Sequence, residues 1–442
     1  MQQSLTPKPI FLKRLADTCR PHHLEYLVSP IVLVIIVSHD QYRNHRCDRV
    51  SALTDLGSQR SWKSTYCSIV ESTSNNVNRA GVIGLSTALS IQEHLGSTQS
   101  VLLAAREFPS DTSINYASPW AGAHYRPVPG SSPQALREAS QALRTFNYLK
   151  QIAASEPAAG IKFVQGIEHL ETPPPEYLDT QSVSNVYHFE DFRSLKDDEV
   201  PDGVKWGAEY GTYVINSPVY CAYMLRRFIL KGGRTQQYSL VNIKEAFSLA
   251  DNVKTVVNCS GTGFGDPKSF IIRGKHLIYL FYWHYQIYES LMLTFKQGQT
   301  CLVRNPVSAT ITRQNSDGTW SFCIPRPLEG GTVIGGTKQP HDWDPNPSPA
   351  IRAQLLANAS KWFPFTPESG GQFDVIRDIV GRRPAREGGM RLEVEQVEDG
   401  KSIVHAYGAG GRGFELSRGV AEDTTALMLE SGLLRIQAKA TL

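Results

Sequence analysis

The chain has 442 residues, 41% of them hydrophobic, which is enough for two or three domains or one interrupted domain. A formal net charge of +3, with no long run of one sign, excludes an electrostatic demand for nucleic acid. The seven cysteines are scattered, odd in number and without a C-x-x-C pair, so they point to neither a disulfide framework nor a zinc site and fit a reducing compartment.

Taken in chain order, residues 1–76 carry scattered polar residues and one short apolar run, "SPIVLVIIVSH", and read as a poorly structured extension without a core of its own. That run is too short to cross a bilayer. The other apolar stretch, "HLIYLFYWHYQIYESLMLTF", carries His276, His284, Gln286 and Glu289, so neither is read as a membrane span. Next comes "NNVNRAGVIGLSTAL". Its Gly81 and Gly84 match the second and third glycines of a dinucleotide fingerprint, and Leu85, Ala88, Leu89 and Ile91 give the following helix an apolar face. Arg79 stands in the place of the first glycine, and Thr73 to Asn78 offer no hydrophobic strand. A cofactor turn with its first piece missing is the resulting expectation.

A strand at "SVLLAAREF", a Pro- and Gly-rich passage "YASPWAGAHYRPVPGSSP" and a helix from about Pro133 to Ala154 follow. "YCAYMLRRFILKGG" is an amphipathic helix with a glycine stop, and "VKTVVNCSGTGFGD" a buried strand leaving through Cys259, Ser260, Gly261 and Gly263. Such an exit suits either close backbone approach to a ligand or a tight turn packed on the sheet. "TWSFCIP" and "GGTVIGGT" have strand character, and "SIVHAYGAGGRG" is a strand entering a helix through a glycine turn, a second cofactor-cradling pattern. By itself Arg106 is a solvated arginine at a strand end. Arg382, Arg383, Arg386 and Arg391 suit a salt-bridged face opposite Glu387, Glu393 and Glu395.

Several blocks together, "AGVIGLSTAL", "YASPWAGAHY", "YCAYMLRRF", "VVNCSGTG", "GQTCLVRN", "IPRP", "VGRRPAR" and "HAYGAGGRGFELSRGVAED", resemble the FAD-dependent D-amino-acid oxidase family, including its D-aspartate oxidases, from about Ala80 to Leu429. The resemblance implies an α/β fold: a Rossmann-like FAD-binding domain from residues 77–125, 221–274 and 371–436, and a mixed β-sheet substrate domain from residues 126–220 and 299–370. It implies that Gly81, Val82, Ile83, Gly84, Arg106, Ser113, Ala117, Ser118, Leu240 and Ser260 contact FAD. Gly410, Gly411, Arg412, Gly413, Phe414 and Glu415 would wrap the flavin end. Arg383 falls on the family's catalytic arginine, whose fork holds the substrate carboxylate, with Gly411, Phe322 and Arg412 beside it.

The activity implied is oxidative deamination of a D-amino acid by hydride transfer to FAD, giving a 2-oxo acid, ammonia and, with O2, hydrogen peroxide. The alternatives are a D-aspartate-type oxidase, a biosynthetic amine or amino-acid oxidoreductase of the same fold, and a non-catalytic remnant that binds FAD poorly. Arg412 or Arg418 is a candidate reader of a second acidic group on the substrate, the alternative and better-favoured reading being a surface or phosphate-facing arginine. Two departures stand out. Phe322 replaces the family's usual tyrosine, and residues 275–298 form an atypical insertion whose opening Gly-Lys-His can be encoded as a splice donor, the mark of a retained intron. The odd leader is assigned to a mispredicted start. A homodimer is a possible assembly, no metal site is expected, charge and hydropathy point to no nucleic-acid or membrane partner, and the resemblance implies a peroxisomal location, or else a cytoplasmic one, with "AKATL" lacking an S-K-L type address.

Overall fold

The computed structural model describes residues 31–39 (as backbone), 80–96, 99–111, 113, 115–178, 190–272, 299–336, 346–365 and 372–434. Arg79 and the 275–298 piece lie outside the described residues.

The first sheet contains β1 (Ile31–His39), β2 (Ser100–Ala105), β6 (Arg234–Gln237), β7 (Thr255–Gly261), β15 (Arg391–Gln396) and β16 (Ser402–Tyr407), in the order β15-β16-β7-β1-β2-β6. All neighbours are parallel except β15, which runs antiparallel to β16. The second sheet has eight strands: β3 (Ile161–Leu170), β4 (Glu190–Ser194), β5 (Trp206–Ile215), β9 (Thr300–Val303), β10 (Thr310–Gln314), β11 (Trp320–Pro325), β12 (Thr332–Gly335) and β13 (Val375–Ile379). Their order is β13-β9-β12-β11-β10-β3-β5-β4, and β8 (Ser269–Ile272) pairs separately with β14 (Arg383–Arg386).

The placement of β1 corrects the reading of residues 1–76 as an extension without a structural role. Ile31–His39 is a central strand, with Val34 opposite Leu102 on one side and Val256 on the other. The run IVLVIIV is what a parallel strand needs when both faces of its sheet are covered. The strand expected before the glycine turn is therefore present, and residues 40–79 separate it from Ala80.

Both faces of this sheet are indeed covered. Val101, Leu103, Val257, Cys259, Val404 and Ala406 pack into a core shared with α1 (Val82–Leu95), α2 (Pro133–Ser155), α3 (Ser217–Leu230) and α5 (Gly413–Glu430). The alternate residues Leu102, Ala104, Val256 and Ile403 face the other way, onto Leu240 and Ala246. Small residues let α1 lie deep between its neighbours: Ser86 Oγ reaches Met224 Sδ at 3.4 Å and Ser90 Oγ lies 3.2 Å from Thr425 Oγ1.

Two domain boundaries differ from expectation. Helix α2, assigned to the substrate side, packs on α5 through Gln141–Asp423 at 2.8 Å and Arg144–Asp423 at 2.7 Å, because its face of Ala139, Ala142, Phe146 and Leu149 needs the cofactor-side core. Strand β13, assigned to the cofactor side, is an edge strand of the eight-stranded sheet, paired with β9. Helix α4 (Pro349–Trp362) closes the core of that second sheet through Leu355 and Ala359. No helix among the described residues is long and apolar enough to cross a membrane.

Candidate active site

A cavity opens where the two sheets meet. One wall is the first turn of α1: Gly81, Val82, Ile83 and Gly84. Gly81 caps the helix without a side-chain hydrogen bond, and the first-turn amides have no carbonyl of their own helix to reach. Val82 N donates to Ser118 Oγ at 2.9 Å, which draws the short turn Ser118–Trp120 against the helix start.

A second wall is the exit of β16 through Tyr407, Gly408, Ala409, Gly410 and Gly411 into α5 at Gly413 and Phe414. Gly408 and Gly410 hold φ of 94° and 58°, left-handed backbone that glycine adopts without strain. A Cβ on Gly408 would come within 2.7 Å of Arg386 Cβ. Beneath this wall Asp266 ties three segments together, accepting from Arg386 Nε at 2.7 Å and from the Tyr407 hydroxyl at 2.9 Å. Burial opposes its charge, but the Arg386, Lys268 amide and Tyr407 donors outweigh it and hold the Asp266 carboxyl down to about 2.

The third wall carries Trp120, Ala121, Ile379, Gly381, Arg383 and Pro384. Arg383 opens β14, and the Ala385–Ala409 bridge fixes that strand against the glycine exit. Burial lowers the affinity of the Arg383 guanidinium for its proton, yet an arginine stays charged in any protein environment. Among the described residues it has no hydrogen-bond or ion-pair partner. A desolvated, unpaired cation facing a cavity is a site for an anion.

The cavity brings together Gly81, Val82, Ile83, Gly84, Ala117, Ser118, Arg383, Gly410, Gly411, Gly413 and Phe414 of the residues expected from sequence. It does not bring in the others. Arg106 is exposed and gives only its carbonyl, to Gln237 Nε2 at 2.8 Å. Leu240 is fully buried on the far face of the sheet, and Ser260 is turned inward, accepting from Gly263 N at 3.0 Å. Ser113 supports the wall from behind, its carbonyl accepting from Trp120 Nε1 at 2.6 Å. Phe322 packs beside Ile379 and Ile324 without lining the cavity.

Arg412 and Glu415 require a correction. Arg412 Nε donates to Glu415 at 2.7 Å and its Nη1 to Glu138 at 2.8 Å, so both side chains are spent on an internal ion pair under α5. Arg418 is held likewise, by Glu422 at 2.8 Å and Glu93 at 3.3 Å over the Tyr148 ring. Neither reads a substrate. Sequence reasoning also passed over Trp120, Ile379 and Tyr407. Trp120 sat in view inside "YASPWAGAHY", but nothing local says that its ring closes a cavity.

The lining suits an extended anionic cofactor: helix-start amides at one wall, glycine backbone at another and no acidic side chain anywhere on it. A family model described as FAD dependent oxidoreductase matches residues 80–427. A D-aspartate oxidase from Talaromyces thermophilus is 42% identical over 383 residues, covering 82% of this chain and 96% of that protein. A D-amino-acid oxidase from Schizosaccharomyces pombe is 32% identical, covering 79% and 94%. The glycine oxidase structure from Bacillus cereus superposes with a TM-score of 0.57 at 16% identity, covering 82% of this chain and 98% of that one, a likeness of fold.

Proposed function

Because the chain belongs to the FAD-dependent oxidoreductase family whose model spans residues 80–427, we propose that it deaminates D-amino acids oxidatively, and we favour acidic ones. The observation that carries the reading is Arg383, a guanidinium unpaired among the described residues, on the wall of a cavity lined mainly by glycine backbone and apolar side chains. Its fork donates two parallel hydrogen bonds to the α-carboxylate, which fixes the Cα–H of the substrate. The residues that would hold FAD are Gly81 to Gly84 and Ser118 on one wall and Gly408 to Gly411, Gly413 and Phe414 on the other. Bound there, FAD supplies a two-electron acceptor that O2 regenerates. The overall change is D-amino acid plus O2 plus water to 2-oxo acid, ammonia and hydrogen peroxide.

The chain's own residues bind and orient. No Asp, Glu or His among the described residues lines the cavity. Burial pushes the Cys259 thiol up to about 12, with the Thr87 hydroxyl only partly opposing it, and the Tyr407 hydroxyl is engaged with Asp266. The lining therefore offers no base at neutral pH, and the substrate amine has to arrive unprotonated. Trp120, Ile379 and Phe414 exclude water around it.

The acidic preference draws on the Talaromyces relative, named as a D-aspartate oxidase, and on the cationic cluster described below. The test is an absorption spectrum of the purified, FAD-loaded protein before and after anaerobic D-aspartate and, separately, D-alanine. Bleaching of the flavin band, faster with D-aspartate, is the expected result. A spectrum unchanged by either overturns the reading.

A further inference from the structure

Buried arginines of this chain are usually paired: Arg126 with Glu168 at 2.7 Å, Arg313 with Glu171 at 2.7 Å, Arg386 with Asp266 at 2.7 Å. Around Trp120 the pattern breaks. Arg377 lies two residues before Ile379 on β13, so strand alternation puts both side chains on one side of the sheet, and Ile379 lines the cavity. The Arg377 Cζ stands 5.2 Å from the centre of the Trp120 ring, which also lines it. Arg377 is exposed, and among the described residues no carboxylate neutralises it. The nearest acids in sequence are committed elsewhere, Asp374 to Arg304 at 3.1 Å and Asp378 to Arg352.

Behind this contact lies Arg326, only 5% exposed. Its Nη2 donates to the carbonyls of Pro119 at 3.2 Å and Ala121 at 2.8 Å, which fixes the turn carrying Trp120. Its Nε is buried without a partner. Burial first, and then the charge of Arg377, push the Arg326 guanidinium down to about 10. Two guanidiniums on either side of the turn that carries a cavity-lining ring give that edge of the cavity a positive field that favours an anion.

We infer that Arg377, seated on Trp120 and backed by Arg326, binds the side-chain carboxylate of a dicarboxylic D-amino acid. The inference rests on the reading of Arg383 as the anchor of the α-carboxylate. Arg377 is then a specificity-determining residue, and Arg326 positions the platform under it.

The test uses the FAD-loaded full chain with D-aspartate and its neutral near-isostere D-asparagine. R377M is expected to raise KM for D-aspartate roughly 10- to 100-fold, the loss of one hydrogen bond between charged groups, with kcat nearly unchanged and D-asparagine kinetics untouched. R377K recovers much of the affinity. In parallel, succinate titrated against the flavin absorbance loses affinity in R377M, whereas butyrate does not. Equal losses on both substrates, or no change on either, overturn the assignment. Should R377M not retain flavin, R377Q carries the same comparison. A wild-type protein whose flavin neither substrate bleaches overturns the oxidase reading itself, a result distinct from an unaltered D-aspartate to D-asparagine ratio in the variant.

Discussion

Arg412, at the start of the last helix, and Arg418, within it, each have a carboxylate within 2.8 Å, whereas Arg377 and Arg383, on preceding strands, have none among the described residues. All four sit close in sequence to the glycine exit, and two of them are flanked by the glycines and aromatics of "GGRGFELSRG". What separates them is who reaches them in three dimensions. Glu138 arrives from α2 and Glu93 from α1 to neutralise Arg412 and Arg418, while β14 presents Arg383 to a cavity with no acid on its wall among the described residues, and Arg377 of β13 stands beside the cavity-lining Trp120. A paired guanidinium is structural, and an unpaired one waits for a ligand.

Substitution should expose that difference. R383M is expected to lower kcat/KM by roughly 10²- to 10⁴-fold while the flavin spectrum and stability hold, with R383K recovering part of it. Stopped-flow bleaching of the flavin checks this, and an R383M enzyme as fast as the parent would erase the contrast. R412M should do the reverse. Stranding Glu138 and Glu415 as partly buried, unpaired carboxylates costs about 3–5 kcal/mol of stability, read from the denaturant midpoint, with the ratio of D-aspartate to D-asparagine turnover unchanged.

A smaller effect tests the wall beneath Arg383. G263A places a Cβ 2.3 Å from Tyr407 Cζ at a φ of +73°, which displaces the ring from Asp266. A loss of about 1–3 kcal/mol and weaker flavin retention on gel filtration are expected. An unaltered Tyr407 environment would show that this wall yields more easily than its packing suggests.

The smallest effect concerns pH. Burial, and then the charge of Arg126, lower His124 to about 3 in the folded chain, against an ordinary value near 6.5. The unfolded state therefore binds more protons between these limits. The stability that a neutral His124 provides is complete above pH 6.5 and is lost progressively as pH falls toward 3, by up to about 1.4 kcal/mol per unit. H124Q should flatten this slope in urea melts from pH 7.5 to 5. Carboxylate anchoring by Arg383 has no such titration, so affinity for a carboxylate ligand should keep its value over the same range.

How much of this could be read from the sequence depended on how local the signal was. The α1 turn and the β16 exit were legible because close backbone approach demands small residues in a row, as at Gly81 to Gly84 and Gly408 to Gly413. The central strand was not, because the fingerprint was sought as one contiguous piece and Ile31–His39 lies on the far side of residues 40–79. Its apolar run was visible but seemed to belong to nothing. The arginines were harder still. Nothing near Arg412 announces Glu138, and nothing near Arg377 announces Trp120, since both partners arrive from remote chain positions. Leu240 and Ser260 are both buried outside the cavity lining, a placement that only the packing of the sheet's two sides decides.

The cavity draws its lining from within residues 81–84, 117–121, 259–261, 379–384 and 406–414, together with Thr300. During synthesis these stretches leave the ribosome in that order, and the wall that faces Gly81 to Gly84 is among the last to emerge. The lining is therefore complete only once the chain has passed Phe414, and β15 and β16 of the β1 sheet come from the same late part of the chain. Flavin loading is expected to follow synthesis of that last wall.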